Sequence, residues 1–169
     1  MIDNSTHTDS IFHAVRSGDA DTVLKLLAEN VTVLEHEDEK GYTPLILATY
    51  HGNAVLTDLL LKNGANIDHQ DASGNTSLMG VCFKGYEQIV DLLLENGANV
   101  HLKNGNGGTA LAFAAMFGHE TIVKKLVDNG ASIYDQDVRG LRPIDLAAQQ
   151  GNESMVNLFK ELDEERQAN

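Results

Sequence analysis

The chain has 169 residues and a formal net charge of −13, with 25 Asp or Glu against 12 Lys or Arg, so nucleic acid is a poor partner: phosphates are neutralised by Lys and Arg. Apolar residues make up 42% and charged residues 22%, as in folded soluble domains, yet aromatic content is only 5% with no Trp, which points to many small aliphatic cores rather than one large one. The single cysteine, Cys82, excludes an internal disulfide and a paired-thiolate metal site, and fits a reducing compartment.

Residues 1–8 are polar and are expected to form a flexible N-terminus; they lack the basic-then-apolar pattern of a signal peptide. No run approaches the ~18 apolar residues of a spanning helix. A cytoplasmic location is the expectation.

The first patterned unit, about residues 9–39, carries Ile11, Ala14, Gly18, Val23, Leu26 and Leu27. Its pattern returns after 34 residues, one more than the spacing that follows. Asn30 stands where later units have Gly, as a candidate left-handed helix end. The acidic run Glu35–Glu39 around His36 reads as a solvated loop, with a metal or a basic peptide as the sharper alternative. From unit two onwards (40–72, 73–105, 106–138, 139–162) the period is 33 residues. Gly41, Gly74, Gly107 and Gly140 share one register, and Gly52, Gly85, Gly118 and Gly151 another. Thr43, Thr76 and Thr109 repeat with them, followed by Leu45, Leu78, Leu111 and Ile144. The threonine hydroxyls are predicted to cap a first helix, and Pro44 and Pro143 sit at its favoured first position. A second helix, in unit three Ile89, Val90, Leu92, Leu93 and Leu94, is apolar over most of its circumference and needs cover on several sides. Gly64, Gly97 and Gly130 are predicted to end that helix with positive φ. Residues 163–169 read as a polar tail.

The segments GYTPLILATYHGN, GNTSLMGVCFKGY, GGTALAFAAMFGH and GLRPIDLAAQQGN, with LLLKNGANID, LLLENGANVH and LVDNGASIYD, resemble the ankyrin-repeat family over roughly residues 9–162. The resemblance implies an all-α solenoid of about five helix–turn–helix units joined by hairpin-like fingers. It implies a concave face of fingers and first helices, and a convex back of second helices. Where many members have His after the first Leu, this chain has Ile46, Met79, Ala112 and Asp145, so a capping hydrogen bond usual in the family is expected to be missing. Asn66 and Asn99 lie where some members are hydroxylated.

No catalytic or nucleotide motif survives inspection. The run Asn104–Gly108 lacks the Lys-Ser/Thr of a phosphate loop. Asp135, Asp137 and Gly140 imitate a calcium loop, but Arg139 and Leu146 stand where oxygen ligands are required. No cofactor, no metal and no catalytic residue are therefore expected.

The resemblance implies a protein partner on the concave face, bound as adaptor or inhibitor, with a scaffold using the convex back or the ends as the alternative. A monomer is expected when unbound. Carried over by register, the binding residues would be Tyr50, His51, Phe83, Lys84, Met116 and Phe117 before the turn glycines, with Tyr42, Asn75, Asn106, Arg139 and Leu141 from the fingers. Tyr50, Phe83 and Met116 recur at the 33-residue period and form a candidate row of anchors. The bland reading lays those rings onto neighbouring helices as core. The net charge would attract a basic partner.

Overall fold

A computed structural model describes residues 4–168 of the protein, with side-chain environments from Ser10 to Ala168. The described residues form ten α-helices, no strand and one 3₁₀ helix. The helices fall into five antiparallel pairs: α1 (Asn4–Ser17) with α2 (Ala20–Glu29), α3 (Pro44–Tyr50) with α4 (Ala54–Lys62), α5 (Ser77–Lys84) with α6 (Glu87–Glu95), α7 (Ala110–Met116) with α8 (Glu120–Asp128), and α9 (Pro143–Gln149) with α10 (Glu153–Ala168). The inner helices pack in series, α1 on α3, α3 on α5, α5 on α7 and α7 on α9, while α4, α6 and α8 stack behind them. The expected all-α solenoid is what the chain forms.

The threonine ladder caps the inner helices. Thr43, Thr76 and Thr109 hydroxyls accept from the amides of Ile46, Met79 and Ala112 at 3.3, 3.3 and 3.2 Å. In the fifth unit, where Arg142 replaces Thr, the Asp145 carboxylate accepts from the Arg142 amide at 2.9 Å and caps α9 from the other side. The outer helices open on Asp19, Asn53 and Asn152, whose side chains accept amides of Thr22, Leu56 and Met155. Tyr86 and His119 hold the equivalent place in units three and four and make no such cap. Their rings instead lie against Gly52 and Gly85 of the preceding unit.

Leu60, Leu93 and Leu126 are fully buried between the stacked outer helices, and Leu45, Leu78 and Leu111 beneath the inner ones. A short hydrogen bond links each finger to the next: the Ala72 amide donates to Lys40 O at 3.0 Å, Gly105 to Ser73 O at 2.9 Å, and Val138 to Asn106 O at 2.9 Å. The fingers run so close that a Cβ on Gly74 would stand 2.9 Å from the Gly105 nitrogen.

One local expectation is corrected. Asn30 is not left-handed: its φ is −156° and its side chain instead accepts from the Thr32 amide, starting the 3₁₀ helix Val31–Glu35. Every positive φ among the described residues belongs to glycine. The tight coil of Val31–Glu35, with Val33 and Leu34 buried, occupies the longer first spacing. Of the flexible start assigned to residues 1–8, the first three lie outside the described residues, and α1 begins at Asn4. The tail assigned to 163–169 is, as far as Ala168, the last turns of α10. There the Arg166 guanidinium donates to Ala131 O at 3.1 Å, and the Tyr134 hydroxyl donates to Asp163.

Gly97 follows the end of α6 at φ +82°, with nothing within 4 Å of where a Cβ would be. Gly97→Val therefore strains the backbone alone. It is expected to cost more than the ~1 kcal/mol separating Gly from Ala, because β-branched residues resist this region. Chemical denaturation measures the loss, and an unchanged midpoint contradicts it.

Acid acts on the caps. Hydrogen bonds from Thr22 to Asp19, and from Arg142 to Asp145, hold both carboxyls below the ordinary aspartate value of 3.8. A carboxyl lowered in the folded state stabilises it above the unfolded value, and that contribution fades as pH falls through the folded one. Thermal melts are expected to show Asp19→Ala and Asp145→Ala differing from wild type at pH 7 and converging with it well below pH 3.8.

Candidate functional site

The inner helices end in a row of exposed rings. Tyr50 closes α3, Phe83 lies in the last turn of α5, and Phe117 follows α7; they are 44%, 40% and 45% exposed. Phe83 and Phe117 meet edge to face with centroids 4.5 Å apart. The Lys84 ammonium stands 4.6 Å from the Tyr50 centroid and 5.7 Å from that of Phe83. Such contacts are worth roughly 0.5–1 kcal/mol at exposed sites. They bridge units two and three, so Tyr50, Lys84, Phe83 and Phe117 form one strip. The rings are not core. Phe117, rather than Met116, continues the row, because Met116 is half-buried and turns to the finger side.

Two hollows lie beside the strip, between inner helices and fingers. The first, about 210 Å³, is lined by Tyr42, Ile46, Tyr50, Asn75, Met79 and Phe83, with Gly80 at its wall. The second, about 410 Å³, gathers Asn106, Met116, Val138, Arg139 and Leu146. Phe113 lines both and divides them. Of the residues expected from sequence, Tyr42, Asn75, Tyr50 and Phe83 thus meet at one hollow, and Asn106, Met116 and Arg139 at the other. His51 and Leu141 line neither: His51 ends α3 with its ring edge-on to Tyr50, and the Leu141 amide donates to Asp137 at 3.0 Å.

Phe113 and Gly80 were missed, though a signal existed. They belong to the row Leu47, Gly80, Phe113 and Leu146 at the same 33-residue spacing. Within it, Gly80 is a glycine inside a helix, a choice that costs about 0.5–1 kcal/mol relative to Ala.

Burial pushes the Cys82 thiol up, so it stays protonated inside α5. Burial, and the charges of Asp71 and Asp38, raise the Tyr42 phenol, which keeps its proton at the mouth of the first hollow. Burial works to raise the Asp137 carboxyl, but hydrogen bonds from Leu141 and Arg139 hold it low, and its oxygens are engaged by those groups at 2.7–3.0 Å. No group of three or more His, Cys, Asp or Glu among the described residues is placed to hold a metal ion.

A family model described as ankyrin repeats (3 copies) matches residues 11–104 and again 78–168. The chain belongs to the ankyrin-repeat family. Ankyrin repeats are protein–protein interaction modules, typically without catalytic activity, and this array presents its rings and hollows on the face formed by the inner helices and fingers. No individual curated protein matches the chain. No helix of the described residues is long and apolar enough to cross a membrane.

Proposed function

We propose that this ankyrin array binds a single protein partner on its concave face, as adaptor or inhibitor, in the cytoplasm and as a monomer when unbound. The observation that carries the reading is the exposed strip Tyr50–Lys84–Phe83–Phe117 alongside two apolar hollows. Aromatic and cationic side chains beside fully desolvated pockets are the usual centres of binding energy. The test is affinity purification from native cells with wild-type and Phe83→Ala baits. A defined partner retained by the first and lost by the second supports the reading; equal recovery on both baits rules out this face.

The array's charge is unevenly placed. In units three to five, Lys103, Arg139 and Arg142 pair with Asp135, Asp137 and Asp145. The acidic excess lies on the first finger (Glu35, Glu37, Asp38, Glu39) and on outer helices carrying Glu87, Asp91, Glu95, Glu161, Glu164 and Glu165. A basic partner would be steered by this field. Association is then expected to slow as salt rises, because exposed charges are screened within about 8–10 Å near physiological ionic strength. Stopped-flow rates across a salt series check this; a flat series makes the acidity a solubility device.

A scaffolding role through the convex back is the second reading. It is favoured by Val55, 72% exposed at a hollow of about 420 Å³ between α4 and α6 that also holds Leu92, Asp58, Asp91 and Glu95. Val55→Asp separates the two: it should disturb a partner on the back and leave a concave partner untouched.

A further inference from the structure

Gly80 has no packing reason to be glycine. It sits inside α5 with ordinary helical backbone, and a Cβ built on it meets nothing within 4 Å. Other glycines of the array differ. Gly74 is pressed by the next finger, and Gly97 needs its positive φ. The equivalent positions in the neighbouring units, Leu47 and Phe113, carry large side chains. What the missing side chain at Gly80 leaves is space: a hollow floored by the buried Ile46 and Met79 and walled by Tyr50, Phe83 and Phe113, with Asp71 at its finger side already accepting from the Ser73 and Asn75 amides.

Its size and charge specify an occupant. At about 210 Å³ it is smaller than the ~300–1,000 Å³ of small-molecule sites, so it suits one side chain rather than a cofactor. At the rim, the Lys84 ammonium lies over the Tyr50 and Phe83 rings and contacts no carboxylate of the described residues. By contrast, Lys103, Arg139 and Arg142 each hold an aspartate, at 3.2, 2.7 and 3.1 Å. Lys84 is thus a cation at the rim of the hollow still open to an anion.

We propose that the Gly80 hollow receives one large apolar side chain of the partner, from a segment in which an adjacent Asp or Glu pairs with Lys84. This rests on the concave-docking reading and names the chemistry recognised there. It is compatible with a partner that is basic overall. The long-range field of the array acts on the whole partner before contact, whereas Lys84 acts on a single group at contact distance.

The test uses a displayed library of random short peptides selected on the full-length chain. Enriched sequences are expected to carry Leu, Met, Phe or Trp beside Asp or Glu. Peptides made from them should bind Gly80→Leu, whose side chain fills the hollow, at least about thirtyfold more weakly. Thermal unfolding of Gly80→Leu should stay at or above wild type, because the added side chain enters open space. Lys84→Glu, at the half-buried rim, should weaken the same peptides and shift a repeated selection towards Lys or Arg beside the anchor. Selection of no peptides, equal binding to Gly80→Leu, or an anchor flanked by basic residues overturns the proposal. Peptides indifferent to Gly80→Leu but lost on Phe117→Ala would overturn it while keeping concave docking; peptides indifferent to both would sink that reading as well.

Discussion

Phe83→Ala is expected to weaken partner binding by a factor of about thirty or more while leaving the fold nearly as stable as wild type. The factor follows from the ~2 kcal/mol or more that truncation of a central interface ring costs. Phe83 is central in two senses: it touches Phe117 on one side and lies under Lys84 on the other, and it lines the hollow opened by Gly80. At 40% exposure it has left water only in part, so its removal strips little from the folded chain. Titration calorimetry with the partner and denaturant melts of the free protein form the pair of measurements. A loss of ~3 kcal/mol or more in the melt would make Phe83 a core residue after all. Wild-type affinity with a normal melt would remove the strip from the interface.

Phe159→Ala is expected to do the reverse. Phe159 is 2% exposed on α10, packed in the cluster that includes Leu126, Ile133 and Ala147. Truncating a buried Phe costs roughly 3–5 kcal/mol through lost transfer energy and the cavity left behind. The site is poorly placed to collapse, because α10 packs chiefly on α9 and little surrounding structure can close over the gap. The loss should appear as an early unfolding step confined to the C-terminal pair α9 and α10, seen by hydrogen exchange of their amides. A single transition with wild-type midpoint would show that α10 contributes little to the array. Partner affinity, referred to the folded fraction, should not move.

The contrast between the two phenylalanines marks what the sequence could show. A 33-residue ladder of Thr, Leu and Gly specifies caps, core and turns because each acts within its own unit. The Thr76 cap and the φ of Gly97 are accordingly as the spacing predicts. Properties that depend on what the neighbouring unit supplies are harder to read. Whether Met116 or Phe117 continues the aromatic row depends on which side chain the preceding Phe83 leaves room for. The extended Asn30 depends on a 3₁₀ turn that, among the described residues, only the first unit has. The contacts of Asp163 and Arg166 are not legible from their charge alone. Their partners, Tyr134 and Ala131 O, lie about one repeat earlier, where no local pattern points.

The links between fingers carry a further consequence. Lys40 reaches Ala72, Ser73 reaches Gly105, and Asn106 reaches Val138, each spanning about one unit of sequence, and among the described residues no such bond joins the first unit to the last. Loop closure therefore costs little entropy at any step, and a growing chain can add one pair of helices at a time to those already formed. Under tension the array behaves as elements in series: load passes from unit to unit through a few hydrogen bonds and ion pairs and the leucine layers. The end with fewer neighbours yields first, while the units around Phe83 keep their shape and their grip.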